Sequence, residues 1–183
     1  GYRYRIGGME VAGNSFEDIV KKYKDTYMVE KNTEFLKSGS VILDAVIGGG
    51  IPRGAMIELA SEPGLGKSTL ALHICKTMCS MGKKVVYLDF ESGVNDSQIE
   101  GVGLGPYVGD SFVVMRGKTF EDAECLIDEF VKAKDSDLVL FVIDSITAMC
   151  PLEIINKSIA DIRPAIHAQY SANFFRKYKY IAY

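Results

Sequence analysis

The stretch Ser61-Glu62-Pro63-Gly64-Leu65-Gly66-Lys67-Ser68-Thr69 decides how the rest of the chain is read. Before it, Ala55-Met56-Ile57-Glu58-Leu59-Ala60 predicts a strand. After it, Lys67 to Met81 predicts a helix with Leu70, Ile74, Cys75 and Met78 on one face and Gly82 as its stop. A Gly-rich loop between a strand and a helix is the setting of a phosphate-binding loop. Gly64 and Gly66 let the backbone turn so that successive N–H groups point at an anion, and the helix adds its positive dipole end. Lys67 supplies a cation for the β- and γ-phosphates, Ser68 a hydroxyl for Mg²⁺, and Thr69 a further phosphate contact. All nine residues, Ser61 to Thr69, are the expected nucleotide contacts. The general pattern G-x-x-x-x-G-K-[ST] has Gly where this chain has Ser61, and a side chain there is tolerated only at negative φ.

Two acidic positions join the loop. Leu138-Val139-Leu140-Phe141-Val142-Ile143-Asp144-Ser145 is the clearest strand in the chain, and Asp144 at its exit has the arrangement of a Walker B carboxylate. It is expected to hold Mg²⁺ through water, opposite Ser68. Lys84 to Asp89 (KVVYLD) predicts a strand buried on both faces, followed by Phe90 and Glu91. Ligands of open parallel sheets bind beyond the carboxyl ends of the strands, so Glu91 faces the same crevice, where a carboxylate orients and deprotonates an attacking water. Glu91 and Lys67 are the catalytic candidates. The alternative for Glu91 is a solvated strand-end charge.

Around these signals the chain alternates helices and strands. Ser15-Phe16-Glu17-Asp18 and Thr119-Phe120-Glu121-Asp122 have the shape of capping boxes. The first opens a helix to about Tyr27, the second a helix with Ala123, Leu126, Ile127, Phe130 and Val131 on one stripe. Ser40 to Ile47 predicts a short helix, Gln98 to Gly101 another, Ser111 to Met115 a short strand, and Pro164 to Tyr178 a last helix. The fold class is therefore α/β, a mostly parallel sheet covered by helices on both faces.

Composition sets the outer limits. The 183 residues, about one globular domain in length, are 48% hydrophobic and 25% charged, which excludes disordered and fibrous classes. The longest aliphatic and aromatic run, Leu138 to Ile143, is far short of the roughly 20 residues a membrane helix needs. Gly1 to Arg5 opens no apolar signal region, so a cytoplasmic protein is expected, with Met9 a candidate start. With 21 Lys and Arg against 24 Asp and Glu, the net charge of -3 excludes a whole-surface basic field for nucleic acid, though not a local patch. Cys75, Cys79, Cys125 and Cys150 form no paired cluster of metal-ligand spacing and are expected as buried, reduced thiols.

Taken together, the residues from about Phe16 to Lys177 resemble the RecA recombinase superfamily. The resemblance rests on Ser38-Gly39-Ser40-Val41-Ile42-Leu43-Asp44, Gly49-Gly50-Ile51-Pro52-Arg53-Gly54, the loop, Asp89-Phe90-Glu91, Asp144-Ser145 and Pro151-Leu152-Glu153. It implies a P-loop NTPase with a RecA-like core at 36–183, preceded by an N-terminal segment at 1–35 whose helix, Phe16 to Tyr23, docks on neighbouring protomers. It also implies ATP and Mg²⁺ as cofactors, single-stranded DNA as partner, and self-association into a filament or ring. Pro151 to Arg163 corresponds to the first DNA-binding loop, with Lys157 and Arg163 as candidate contacts. The position where these proteins often stack an aromatic residue on adenine falls on Gln98. The family continues past the position of Tyr183 with a strand lying between the phosphate-loop strand and the Walker B strand, then a second DNA loop, so an incomplete core is expected. The spelling Glu62-Pro63-Gly64 is nearer to RadA-type relatives, which keeps open a motor or regulatory ATPase of RadA-like or KaiC-like kind, acting on a protein partner. For His167, Arg176, Lys177 and Lys179, interleaved with Tyr170, Phe174, Phe175 and Tyr178, core packing of the aromatics is favoured over a nucleic-acid surface.

Overall fold

The computed structural model describes residues 3–6, 9–12, 15–27, 34–135, 137–157 and 165–181. The chain divides into two compact units, Gly1–Thr33 and Glu34–Tyr183. In the first, β1 (Arg3–Ile6) and β2 (Met9–Ala12) pair antiparallel with Ile6 opposite Met9. Helix α1 (Phe16–Tyr27) follows. Its start is the expected capping box: Asp18 N donates to Ser15 Oγ at 3.2 Å, and Ser15 N donates to Asp18 Oδ2 at 3.1 Å.

The second unit opens with β3 (Phe35–Leu36), α2 (Val41–Val46) and β4 (Ile51–Pro52), the two short strands pairing antiparallel. Ser40 caps α2, accepting from Leu43 N at 3.2 Å. Then come α3 (Lys67–Ser80), β5 (Lys84–Asp89), α4 (Asp96–Val102), β6 (Phe112–Arg116), α5 (Phe120–Lys132) and β7 (Leu138–Asp144). The short α6 (Leu152–Ile155) and α7 (Ile166–Ile181) complete it. Strands β6, β5 and β7 form a parallel sheet in that order, with β5 in the middle.

The period of two along β5 builds two cores. Val85 and Tyr87 point into a cluster with Leu72, Cys75, Met78 and Cys79 of α3 and Ile99 and Val102 of α4. Val86 and Leu88 point the other way, against Phe120, Ala123 and Ile127 of α5 and Phe174 and Tyr178 of α7. Side chains such as Leu72, Met78 and Leu88 are wholly buried, each worth about 1.5–3 kcal/mol of transfer free energy. Helices thus cover both faces, as the alternating pattern predicts. No helix among the described residues is long and apolar enough to cross a membrane.

One expected strand is absent. Residues Ala55 to Ala60 make no ladder, and all six are exposed. Their apolar pattern is strand-like, but a strand exists only where a neighbour supplies N–H and C=O partners. No described strand lies beside them, and none pairs with the outer edge of β7. The family resemblance puts a further strand between these two.

The second capping box forms as expected. Asp122 N donates to Thr119 Oγ1 at 2.9 Å, while Lys118 N and Thr119 N donate to Asp122 Oδ2 at 2.8 and 2.9 Å. These donations, that of Lys118 foremost, hold the Asp122 carboxyl below its ordinary range. A lowered carboxyl stabilises the fold above its unfolded value of about 4, and the contribution is lost as pH falls through the lower folded value. Asp122→Ala is therefore expected to lower the urea midpoint at neutral pH, with the difference from wild type shrinking as pH falls below the ordinary carboxylate range. A difference independent of pH would contradict this account.

Candidate nucleotide site

The loop 61–66 is exposed and ends on Gly66, the residue capping α3, with φ 84°; Gly64 has φ 78°. Both conformations are left-handed, which an L-residue adopts at about 1–2 kcal/mol. Ser61 is not among the residues of positive φ, so its side chain brings no backbone strain where the general pattern has Gly. Lys67 folds back over the loop: its Nζ donates to the carbonyls of Ser61 and Glu62, each at 3.1 Å, and to Ser61 Oγ at 3.4 Å. Among the described residues no carboxylate neutralises it.

The helix sets the loop at the carboxyl end of the sheet. Helix α3 has 14 residues, about 21 Å, and its last residue, Ser80, stands only four positions before Lys84 opens β5. The chain therefore turns back on itself through Gly82. With β5 about 20 Å long, the amino end of α3 returns to the level of that strand's carboxyl end.

At that end β5 and β7 are tied together. Asp89 lies opposite Asp144 in the ladder, and Phe90 N and Glu91 N donate to the Asp144 carbonyl at 2.7 and 3.2 Å. The exposed Glu91 accepts from Ser145 Oγ at 2.5 Å through Oε1, and that hydroxyl also shares a hydrogen bond with Thr147 Oγ1 at 2.8 Å. Tyr87 Oη donates to Asp144 Oδ2 at 2.6 Å. Burial first, then the Asp144 carboxylate, pushes the Tyr87 hydroxyl above its ordinary range, so it stays a donor. Asp89 is a structural acceptor instead. It is buried and accepts from Gly93 N and Val94 N, each at 3.1 Å, fixing the turn beyond Phe90.

Glu91, Asp144 and Ser145 are thus brought together, and Lys67, Ser61 and Glu62 form a second group at the same end of the sheet. No hydrogen bond among the described residues joins the two groups. Their chemistry fits a magnesium nucleotide. Two glycines whose added Cβ would meet no atom within 4 Å leave the loop backbone open, and the cation beside it lacks an acid. A hydroxyl at Ser68 and a carboxylate at Asp144 are the hard oxygen donors Mg²⁺ prefers. Gln98, at the family's adenine position, is engaged otherwise: its Oε1 accepts from Asn95 N at 3.1 Å in the capping box of α4, which begins two residues earlier than its sequence suggests.

The candidate DNA contacts are described only in part. Lys157 is exposed and ion-paired with Glu153 on α6, and Arg163 lies outside the described residues. On α7 the aromatics serve mainly as core: Phe174 and Tyr178 are buried against Phe120 and one another, while Phe175 is exposed. Lys177 is held by Glu124 and Asp128, and His167 Nε2 contacts the Met149 carbonyl at 3.0 Å. Of the four free cysteines, Cys75 and Cys79 are buried; Cys125, on the outer side of α5, is exposed, contrary to expectation.

Residues 15–182 match the RecA N-terminal domain. The chain belongs to the RecA family. Among RecA proteins, that of Malacoplasma penetrans is 31% identical over 159 residues, covering 85% of this chain and 47% of the relative. The RecA of Rippkaea orientalis is 31% identical over 144 residues, 79% of this chain and 40% of its own. That of Bifidobacterium longum is 29% identical over 149 residues, 81% and 36% respectively. The chain spans less than half the length of these RecA relatives.

Proposed function

We propose that this chain is the ATP-binding core of a cytoplasmic RecA-like DNA recombination and repair protein that hydrolyses ATP with Mg²⁺, binds single-stranded DNA and self-associates into filaments. The observation that carries this reading is the open Gly-rich loop at the amino end of α3, set at the same sheet end as Glu91 and Asp144 in a chain of the RecA family. In this reading the loop N–H groups receive the phosphates, and Lys67 leaves the carbonyls of Ser61 and Glu62 for the β- and γ-phosphate oxygens. Ser68, and Asp144 through water, would hold Mg²⁺, which would supply neutralisation of charge developing on the phosphoryl group. Glu91 orients the attacking water and takes its proton, with Ser145 fixing one of its oxygens. Protomer docking falls to α1, where Phe16 and Ile19 are exposed.

The test is ATP hydrolysis with single-stranded oligonucleotides of increasing length. Stimulation that grows with length supports a filament on DNA; none would move the reading toward a RadA-like or KaiC-like ATPase acting on protein. For the DNA contacts, replacing Lys157 and Arg163 by Ala is expected to weaken binding equally across base sequences, because phosphate contacts carry no sequence information. The slope of log K against log salt flattens by about 0.7 for each phosphate no longer neutralised. Unchanged slope and affinity would remove both residues from the interface.

A further inference from the structure

The two carboxylate oxygens of Asp144 have different surroundings. Oδ2 accepts the Tyr87 hydroxyl at 2.6 Å, whereas Oδ1 accepts no hydrogen bond among the described residues. Tyr87 sits in the middle strand of the sheet, wholly buried, its ring edge-on to Phe112 at 6.3 Å between centroids. The ring is fixed by the core under α3, so its hydroxyl is a fixed donor. The main chain at Asp144 is fixed too, by Phe90 N and Glu91 N, which leaves the carboxylate's own rotation as the remaining freedom. A phenylalanine would fill this core position without any polar group to satisfy. The tyrosine adds a hydroxyl, and its partner is the carboxylate expected to hold a nucleotide's magnesium.

We propose that Tyr87 is a positioning residue for Asp144. Its hydroxyl fixes the carboxylate's orientation, engaging one oxygen inside the sheet and leaving the other for a water on the magnesium of a bound nucleotide. Outer partners of this kind hold a metal-site carboxylate in its working rotamer, and their loss typically weakens metal affinity about 10–100-fold. The inference rests on the nucleotide-site reading above.

The experiment titrates Mg²⁺ against binding of a fluorescent ATP analogue, with an EDTA arm, in wild type, Tyr87→Phe, Asp144→Asn and the double variant. Tyr87→Phe is expected to bind the analogue in EDTA as wild type does, yet to need about tenfold more Mg²⁺ to reach half of its magnesium-dependent binding. In the Asp144→Asn background the same change is expected to shift nothing further. Tyr87→Leu removes the hydroxyl by a second route and carries the same expectation. Melting of each variant without nucleotide accompanies the titration. A Mg²⁺ midpoint unchanged in Tyr87→Phe overturns the proposal, as does a loss equal with and without EDTA, which marks a merely structural role. If wild type shows no magnesium-linked binding at all, the nucleotide-site reading fails, and this inference falls with it.

Discussion

Lys67→Ala is expected to abolish productive ATP binding while leaving the fold intact. The side chain's own partners are two loop carbonyls and one hydroxyl, all exposed to solvent, so its removal strands no buried group. Its function is the opposite case. Lys67 is the one cation within the loop Ser61 to Thr69, and a preorganised donor aimed at developing phosphate charge contributes several kcal/mol, roughly 10²–10³ in rate. Nucleotide affinity by titration calorimetry and turnover by phosphate release are the two measurements. Wild-type values of both in a variant with an unchanged melting curve would end the assignment of 61–69 as a phosphate loop.

Glu91→Gln is expected to separate binding from chemistry. An amide oxygen still accepts from Ser145 Oγ, so the strand-end geometry persists and ATP binds. What disappears is the basic carboxylate, and hydrolysis is expected to fall by roughly 10²-fold or more, the usual contribution of a general base. The discriminating quantity is single-turnover hydrolysis with nucleotide binding verified in the same sample. Unchanged turnover would reduce Glu91 to a surface charge hydrogen-bonded to Ser145.

The parts of this fold that local chemistry determines are legible in the residues alone. Strand β5 runs over Lys84 to Asp89 as its apolar run indicates, and the boxes at Ser15 and Thr119 start α1 and α5 where side-chain spacing puts them. Ala55 to Ala60 departs from expectation because a strand is decided by its neighbour, and apolar periodicity cannot report whether that neighbour is present. The hairpin of β1 and β2 is not among the expected elements, although Gly7-Gly8 between two short β-prone runs is a two-residue turn signature. Within the candidate site, Lys67, Glu91 and Asp144 are named by the sequence because fixed spacings carry them. Tyr87 is not, since KVVYLD reads as simple apolar burial. A tyrosine in a strand buried on both faces needs somewhere to place its hydroxyl, and that requirement is the available signal.

The outer margin of β7 has a consequence for handling the protein. It is a seven-residue strand, apolar over Leu138 to Ile143 and without Lys or Pro, and its single charge, Asp144, sits at the very end. Proteins usually shield such a margin with charge, Pro, a bulge or a covering segment, because its unpaired amides template the addition of other extended chains. No described strand pairs with this edge, so samples of this polypeptide are expected to associate increasingly as concentration rises, through Leu138 to Asp144.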